Sequence, residues 1–331
     1  MTFRNILIIL VTALISGNIS LRAQDEYPLG RVTGKLYIDY RQQLNGEGSY
    51  HGFSNTRSFL GYEYKADSKL SAMILLDIGD PLSTGDVSSK RYFYIRNAYI
   101  TYTNNKLNIR AGITDGTGHK VQLAGWGKRY IMRSFLLQYR FLNVADIGMV
   151  ASYNISPVIT LDAEIFNGEG YTNIQADNSL LYGAGLTIRP ANEIVVRLFA
   201  DTYSHEGINS QTISSFVRYS NDKFSVAAEY DYKSDFDLSD GHNAYGYSVM
   251  GDYNAGLRIN LFMRLDRLMS TKTGAEDLPW NIARDGQMII TGVEYKYSQN
   301  LRFSLSYQGW KPADDTMTHS DFLQANLEFK F

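Results

Sequence analysis

The sequence predicts an all-β chain: a transmembrane, antiparallel, up-and-down β-barrel of 16 strands whose third long loop folds inward. Three observations carry this. Apolar and polar residues alternate with a period of two in sixteen short runs, and the segments joining those runs alternate between short and long. A tyrosine also recurs on the apolar face just before the short joints, at Tyr64, Tyr102, Tyr153, Tyr219, Tyr253 and Tyr295. Alternation suits a wall with lipid on one side and water on the other, and aromatic residues gather where such a wall meets the headgroups. A large soluble sandwich is the alternative; leader, parity and tyrosine level together weigh against it.

Residues 1–23 read as a secretory signal. Arg4 supplies a positive start, residues 6–15 an apolar core, and Ala23 a small residue for cleavage. That core is too short for a membrane helix, which needs about 20 residues, although an uncleaved anchor is the other reading. Loss of Arg4 and Arg22 leaves a chain more acidic than the −2 of the whole. With no Cys the exported chain has no disulfides and no thiolate site. Residues 24–331 show no linker or shift in composition, so they form one unit, the barrel, with 116–143 as its constriction loop.

The runs follow in order. Leu36, Ile38 and Tyr40 share one face while Lys35, Tyr37, Asp39 and Arg41 share the other. Leu60, Tyr62 and Tyr64 turn through 66–68 into Leu70, Ala72, Ile74, Leu76 and Ile78. Ala98, Ile100 and Tyr102 turn through 103–105 into Leu107, Ile109, Ala111 and Ile113, and the broken parity at 92–96 predicts a bulge. Beyond 143 the rhythm resumes, with turns expected at 155–157, 190–192, 220–222, 254–256 and 297–300; the Pro residues Pro157 and Pro190 fall in turns, as a ladder requires. The last run, Leu323, Ala325, Leu327, Phe329 and Phe331, alternates to the final residue. Short turns belong to the periplasmic rim of such barrels and long loops to the outside.

The segment 116–143 stands apart. It carries Lys120, Lys128, Arg129, Arg133 and Arg140 with no Asp or Glu, and its Trp126, Tyr130, Ile131, Phe135, Leu136 and Leu137 would be costly in open water. A loop packed against the inner wall answers both features; a surface loop touching acidic sugars or a neighbouring subunit is the alternative. Parity also places Lys35, Asp39, Arg41, Arg110, Asp162, Glu164, Arg197, Arg258, Arg264 and Arg302 on the lumen face. Such a mixed wall does not choose an ion sign by itself. The acidic run 235–241 misses the spacing of a calcium loop, so a solvated loop is expected and no metal, cofactor or nucleic-acid partner is implied. All five His fall in expected long loops without a paired nucleophile, which argues against an enzyme. A sealed barrel acting as receptor or adhesin stays open, and a plugged transporter would need about 22 strands.

The residues Trp126-Gly127-Lys128-Arg129-Tyr130, Arg133-Ser134-Phe135, Ala145-Asp146-Ile147-Gly148, Phe166-Asn167-Gly168-Glu169-Gly170 and the terminal Phe331 resemble the phosphate-selective porin O and P family and its relatives. The resemblance implies passive diffusion of small hydrophilic or anionic solutes through a barrel in the outer membrane of a Gram-negative bacterium. It also implies a homotrimer among outer-membrane lipid, and assembly machinery that reads Phe331 with its partners Phe329 and Leu327. Members of that family line the pore with a strongly basic ladder, whereas the wall here is mixed, so phosphate specificity does not carry over.

Overall fold

The computed structural model describes residues 27–45, 50–79, 92–273 and 278–331; the leader expected over 1–23 lies outside them. Sixteen strands follow one another: β1 Leu29–Gln43, β2 His51–Lys65, β3 Leu70–Gly79, β4 Tyr92–Asn104, β5 Leu107–Asp115, β6 Ala145–Asn154, β7 Ile159–Phe166 and β8 Leu181–Ala191. The second half continues with β9 Ile194–His205, β10 Ile208–Ser220, β11 Phe224–Ser234, β12 Ala244–Gly256, β13 Ile259–Ser270, β14 Gly286–Lys296, β15 Leu301–Pro312 and β16 Ser320–Lys330. Each pairs antiparallel with its neighbours in sequence, and β1 pairs with β16 to close the ring. Closure satisfies every ladder, the condition for strands in hydrocarbon.

The outer face is the one that parity assigns. The six girdle tyrosines are between 40% and 52% exposed, all on the outside near the short turns. Strands run well past the alternating runs, to 15 residues in β1 and β2, because beyond the membrane band both faces meet water and alternation is no longer enforced. Arg96 is the extra residue of the bulge in β4: Leu75 pairs with Asn97 and Leu76 with Ile95, so Arg96 and Asn97 are both buried on the inner side.

Four expectations need correction. Pro190, expected in a turn at 190–192, lies inside β8 where the register breaks between Ile188 and Ala191, and the turn itself is Asn192-Glu193; the irregularity is what lets a proline sit in the strand. The connection between β9 and β10 is no long loop but a two-residue hairpin, Glu206-Gly207, with φ of 50° and 85°, the twist-matched turn geometry. The turn placed at 254–256 is instead Leu257-Arg258, because a bulge between Asn254 and Gly256 carries β12 onward. Arg258 therefore sits in a turn, exposed, its Nη1 donating to the Tyr297 carbonyl at 2.7 Å, and not on the strand wall of the lumen.

The seam rests on the last residue described. Gly34 and Phe331 exchange backbone hydrogen bonds of 2.9 and 3.1 Å, and the Phe331 ring lies so close over Gly34 that an added Cβ would meet it at 2.2 Å. The Phe329 ring lies beside that of Phe331, tilted to it with centroids 6.0 Å apart, and Leu327 pairs with Ile38. Gly34→Leu should therefore displace the ring and lower the temperature at which the barrel loses its compact mobility on unheated gels; an unchanged transition temperature would refute this use of the glycine. Topology has its own test. Single Cys at Asn221 and Leu257 should be shielded from an impermeant thiol reagent on intact cells while Cys at Asp240 and Asp314 react, and reversed labelling would invert the barrel.

Candidate functional site

The third long loop, L3, lies between β5 and β6 and fills part of the lumen. It contains two helices, α1 Lys120–Trp126 and α2 Phe135–Gln138. Gly127, left-handed at φ 65°, ends α1 and returns its N–H to the Leu123 carbonyl at 2.9 Å, turning the chain so that successive side chains leave in different directions. Trp126, Tyr130 and Ile131 pack with Tyr37, Phe59, Phe216, Met250, Phe262 and Ile290 of the wall, and Phe135, Leu136 and Phe141 pack with Phe236, Ala244 and Leu268. Each fully buried apolar side chain contributes about 1.5–3 kcal/mol. L3 is thus part of the core.

Wall charges hold the loop backbone at intervals. At its root Glu164 accepts from the Thr117 N–H at 2.5 Å and hydroxyl at 2.8 Å, while Arg197, paired with Asp162, donates to the Thr117 carbonyl at 3.1 Å. Midway Arg302 donates to the Gly127 carbonyl at 2.9 Å, pairs with Glu294 and Glu328, and covers the Tyr130 ring at 4.4 Å. Tyr130 donates to Glu294 at 2.8 Å. Arg264, fully buried, makes two bonds to Asp266 at 2.8 and 2.6 Å, donates to the Arg133 carbonyl at 2.5 Å and stacks on Trp126. Lys233 closes the series on the Phe141 carbonyl at 3.0 Å. Cations reach carbonyls and acids reach donors, so most of these wall charges act as fastenings.

The five basic loop residues separate. Lys128 pairs with Asp252 on β12 and lies over the Trp126 and Phe262 rings, so its charge is compensated. Arg129 leaves the chain toward the opposite side, within electrostatic reach of Arg96 and Arg57, with its Nη1 buried and unbonded. Arg133 also faces Arg57, beside Tyr171 and Asp77. Burial first, then the neighbouring Arg96, Arg57 and Arg133, press the Arg129 guanidinium down to about 9; burial and then Arg57 press Arg133 down to about 10. Both stay charged at neutral pH. Neither forms an ion pair among the described residues, and the facing acids are shared, Asp77 with Arg57 and Asp115 with Arg96. Lys120 instead borders a cavity of about 530 Å³ beneath L3, shared with Arg189 and Arg218, while Arg140 is exposed in left-handed backbone after α2.

Of the expected lumen residues, Lys35, Asp39, Arg41 and Arg110 face inward, with Asp39 accepting from Ser54 and Thr56 and Arg110 donating to the Asp115 carbonyl. The inner face also carries Arg57, Arg96 and Arg218, which lie outside the expected lumen set. Continuing the parity of β2 upstream from Glu63 reaches Arg57, and the same continuation in β10 reaches Arg218; the bulge hides Arg96. In the acidic run 235–241, Asp235 accepts from the Gly241 N–H at 2.8 Å and Phe236 packs on Phe141, so this loop caps L3. Ser179, His205 and Asp177 lie together, but serine and aspartate both address Nδ1, so no relay through the ring exists.

A closed sixteen-stranded barrel with a long loop packed in its lumen is the porin architecture. No family model and no curated protein sequence matches the chain. Among solved structures it is similar to the outer membrane channel DcaP of Acinetobacter baumannii, at TM-score 0.67 and 12% identity over 95% of this chain and 100% of that one. It is also similar to Pseudomonas putida OprB, at 0.68 and 10% over 91% and 94%, and to the anion-selective porin from Comamonas acidovorans, at 0.66 and 10% over 92% and 100%. Identities this low establish the shared fold.

Removing one partner of a buried ion pair costs about 3–5 kcal/mol. Arg264→Met should accordingly strand Asp266, release the middle of L3 and speed tryptic cleavage after Arg129 or Arg133, whereas exposed Arg140→Met should leave both stability and cleavage unchanged. Equal digestion of the two variants would show that Arg264 does not fasten the loop.

Proposed function

We propose that the protein is an outer-membrane channel for passive diffusion of small hydrophilic solutes, and that Arg129 and Arg133 at its constriction give it a preference for anions. The observation that carries this is the cluster of Arg129 and Arg133 on L3 within electrostatic reach of Arg57 and Arg96 on the wall, four guanidinium ions whose neighbouring carboxylates, Asp77 and Asp115, pair with the two wall arginines. Lys120, Arg189 and Arg218 extend positive charge into the cavity below; Arg218 bonds only hydroxyls, at 2.9 and 3.0 Å, so its charge is not cancelled there. The mixed wall does not oppose this bias, because much of its acid is engaged with L3.

Magnitude favours the constriction over the rest of the lumen. Two charges about 4 Å apart interact by about 4 kcal/mol at an effective dielectric of 20 and by about 1 kcal/mol in bulk water. Wide, wet regions are screened over about 8 Å at physiological salt. A few fixed charges at the narrow, protein-lined level outweigh many in the open vestibule.

The test is the zero-current potential across a planar bilayer under a KCl gradient. The native channel should show chloride preference, Arg129→Gln with Arg133→Gln should move the potential toward zero or reverse it, and Arg140→Gln should leave it in place. A native preference for potassium, or an unchanged potential in the double variant, removes the constriction role. Absence of any conductance step would favour the sealed receptor.

A further inference from the structure

We propose that the outer surface of the barrel, at the long-loop end of β12 to β16, holds the phosphate headgroup and one acyl chain of a phosphorylated glycolipid from the surrounding outer leaflet. This rests on the reading of the chain as an outer-membrane barrel with its long loops outward. A cleft of about 410 Å³ opens there on the lipid-facing side. Its upper row is set by strand register: Tyr247 pairs with Arg267, Arg267 with Gln287, and Gln287 with Lys311. Parity turns all four outward, so two cations and an amide stand in one line across adjacent strands.

The next row down is apolar. Leu265 pairs with Ile289 and Ile289 with Gly309, whose missing side chain lets the Tyr307 ring fold over the strand, where an added Cβ would meet the Tyr307 hydroxyl at 2.6 Å. Head and tail chemistry therefore meet at one place, with cations near the strand ends and a greasy floor beneath them. Arg267 and Lys311 are two strand spacings apart, about 10 Å between backbones, a distance that two long side chains close around one phosphate. Neither forms an ion pair among the described residues, in contrast to the fastened cations of the lumen. Of the two acids that border the cleft, Asp266 is turned inward and held by Arg264, and Asp321 is occupied by Tyr307 at 2.8 Å and Asn45 at 2.7 Å, so neither pairs with the two cations. His319 of the β15–β16 loop also borders the cleft.

Position separates a lipid from a free anion. A lipid-facing Arg or Lys costs about 2–4 kcal/mol at the bilayer midplane and about 0–1 near the interface, so this pair is tolerable only at headgroup level, where the neighbouring anions are lipid phosphates. Arginine suits that ligand because its planar fork takes two phosphate oxygens at once.

The experiment is native mass spectrometry of the detergent-solubilised barrel with lipid A in phosphorylated and enzymatically dephosphorylated forms. The native protein should retain the phosphorylated form about tenfold more strongly than the dephosphorylated one, and Arg267→Gln with Lys311→Gln should abolish the difference. Millimolar inorganic phosphate should not displace the lipid. Equal retention of the two lipids by native protein, unaltered discrimination in the double variant, or displacement by inorganic phosphate would each overturn the proposal; the first of these needs no variant to fold. Conductance measured on the same double variant should be unchanged, so a failure of the channel reading and a failure of the lipid site register in different assays.

Discussion

The interaction on which the interior depends is the fastening of a basic loop by wall residues of both signs. A closed barrel of this size has an inner surface too wide for its own side chains to fill, and the polar backbone of a loop inside it must find partners. Thr117, Gly127, Arg133 and Phe141 offer carbonyls, and Arg197, Arg302, Arg264 and Lys233 meet them. Each of the three arginines is itself held by a carboxylate, which fixes its direction before it reaches the loop. The arrangement resolves an apparent conflict, a positively charged loop lying against arginines: guanidinium groups address its backbone dipoles, and the loop's own cations are turned elsewhere.

Much of the fold was legible because the membrane enforces it. Where one face meets lipid, parity is strict, and the six outward tyrosines follow from sequence alone. Outside that band the constraint disappears, so alternation marks the strands shorter than they are and does not reveal the Glu206-Gly207 hairpin between β9 and β10. The Leu257-Arg258 turn escaped for a different reason. Both residues adopt positive φ without being Gly or Asn, while the Asn254-Ala255-Gly256 stretch that looks like a turn forms a bulge.

The site was legible in composition and not in direction. Excess basic charge in 116–143, joined to its aromatic residues, pointed to a loop inside the lumen. Nothing in the order Lys128-Arg129 says that one side chain pairs with Asp252 and the next faces Arg57 and Arg96, because the left-handed residue Gly127 redirects the chain just before them. Backbone carbonyls are likewise invisible as acceptors in a sequence, so parity alone does not distinguish the fastened residues Glu164, Arg197, Arg264 and Arg302 from pore lining.

The pairing of Gly34 with Phe331 bears on how such a chain folds. Its partners are separated by nearly the whole sequence, so this seam has about the highest contact order available to the protein, and the entropy of bringing its ends together must be met before any contact there stabilises it. The hairpins along the ring close over short spans and can zip in turn. L3 touches wall residues from β1 through β14, a set that exists as a surface only when the curved sheet has already formed around it. The packing of the loop therefore depends on the long-range seam as well as on the local hairpins, and the interior is complete only when both ends of the sheet are brought around it.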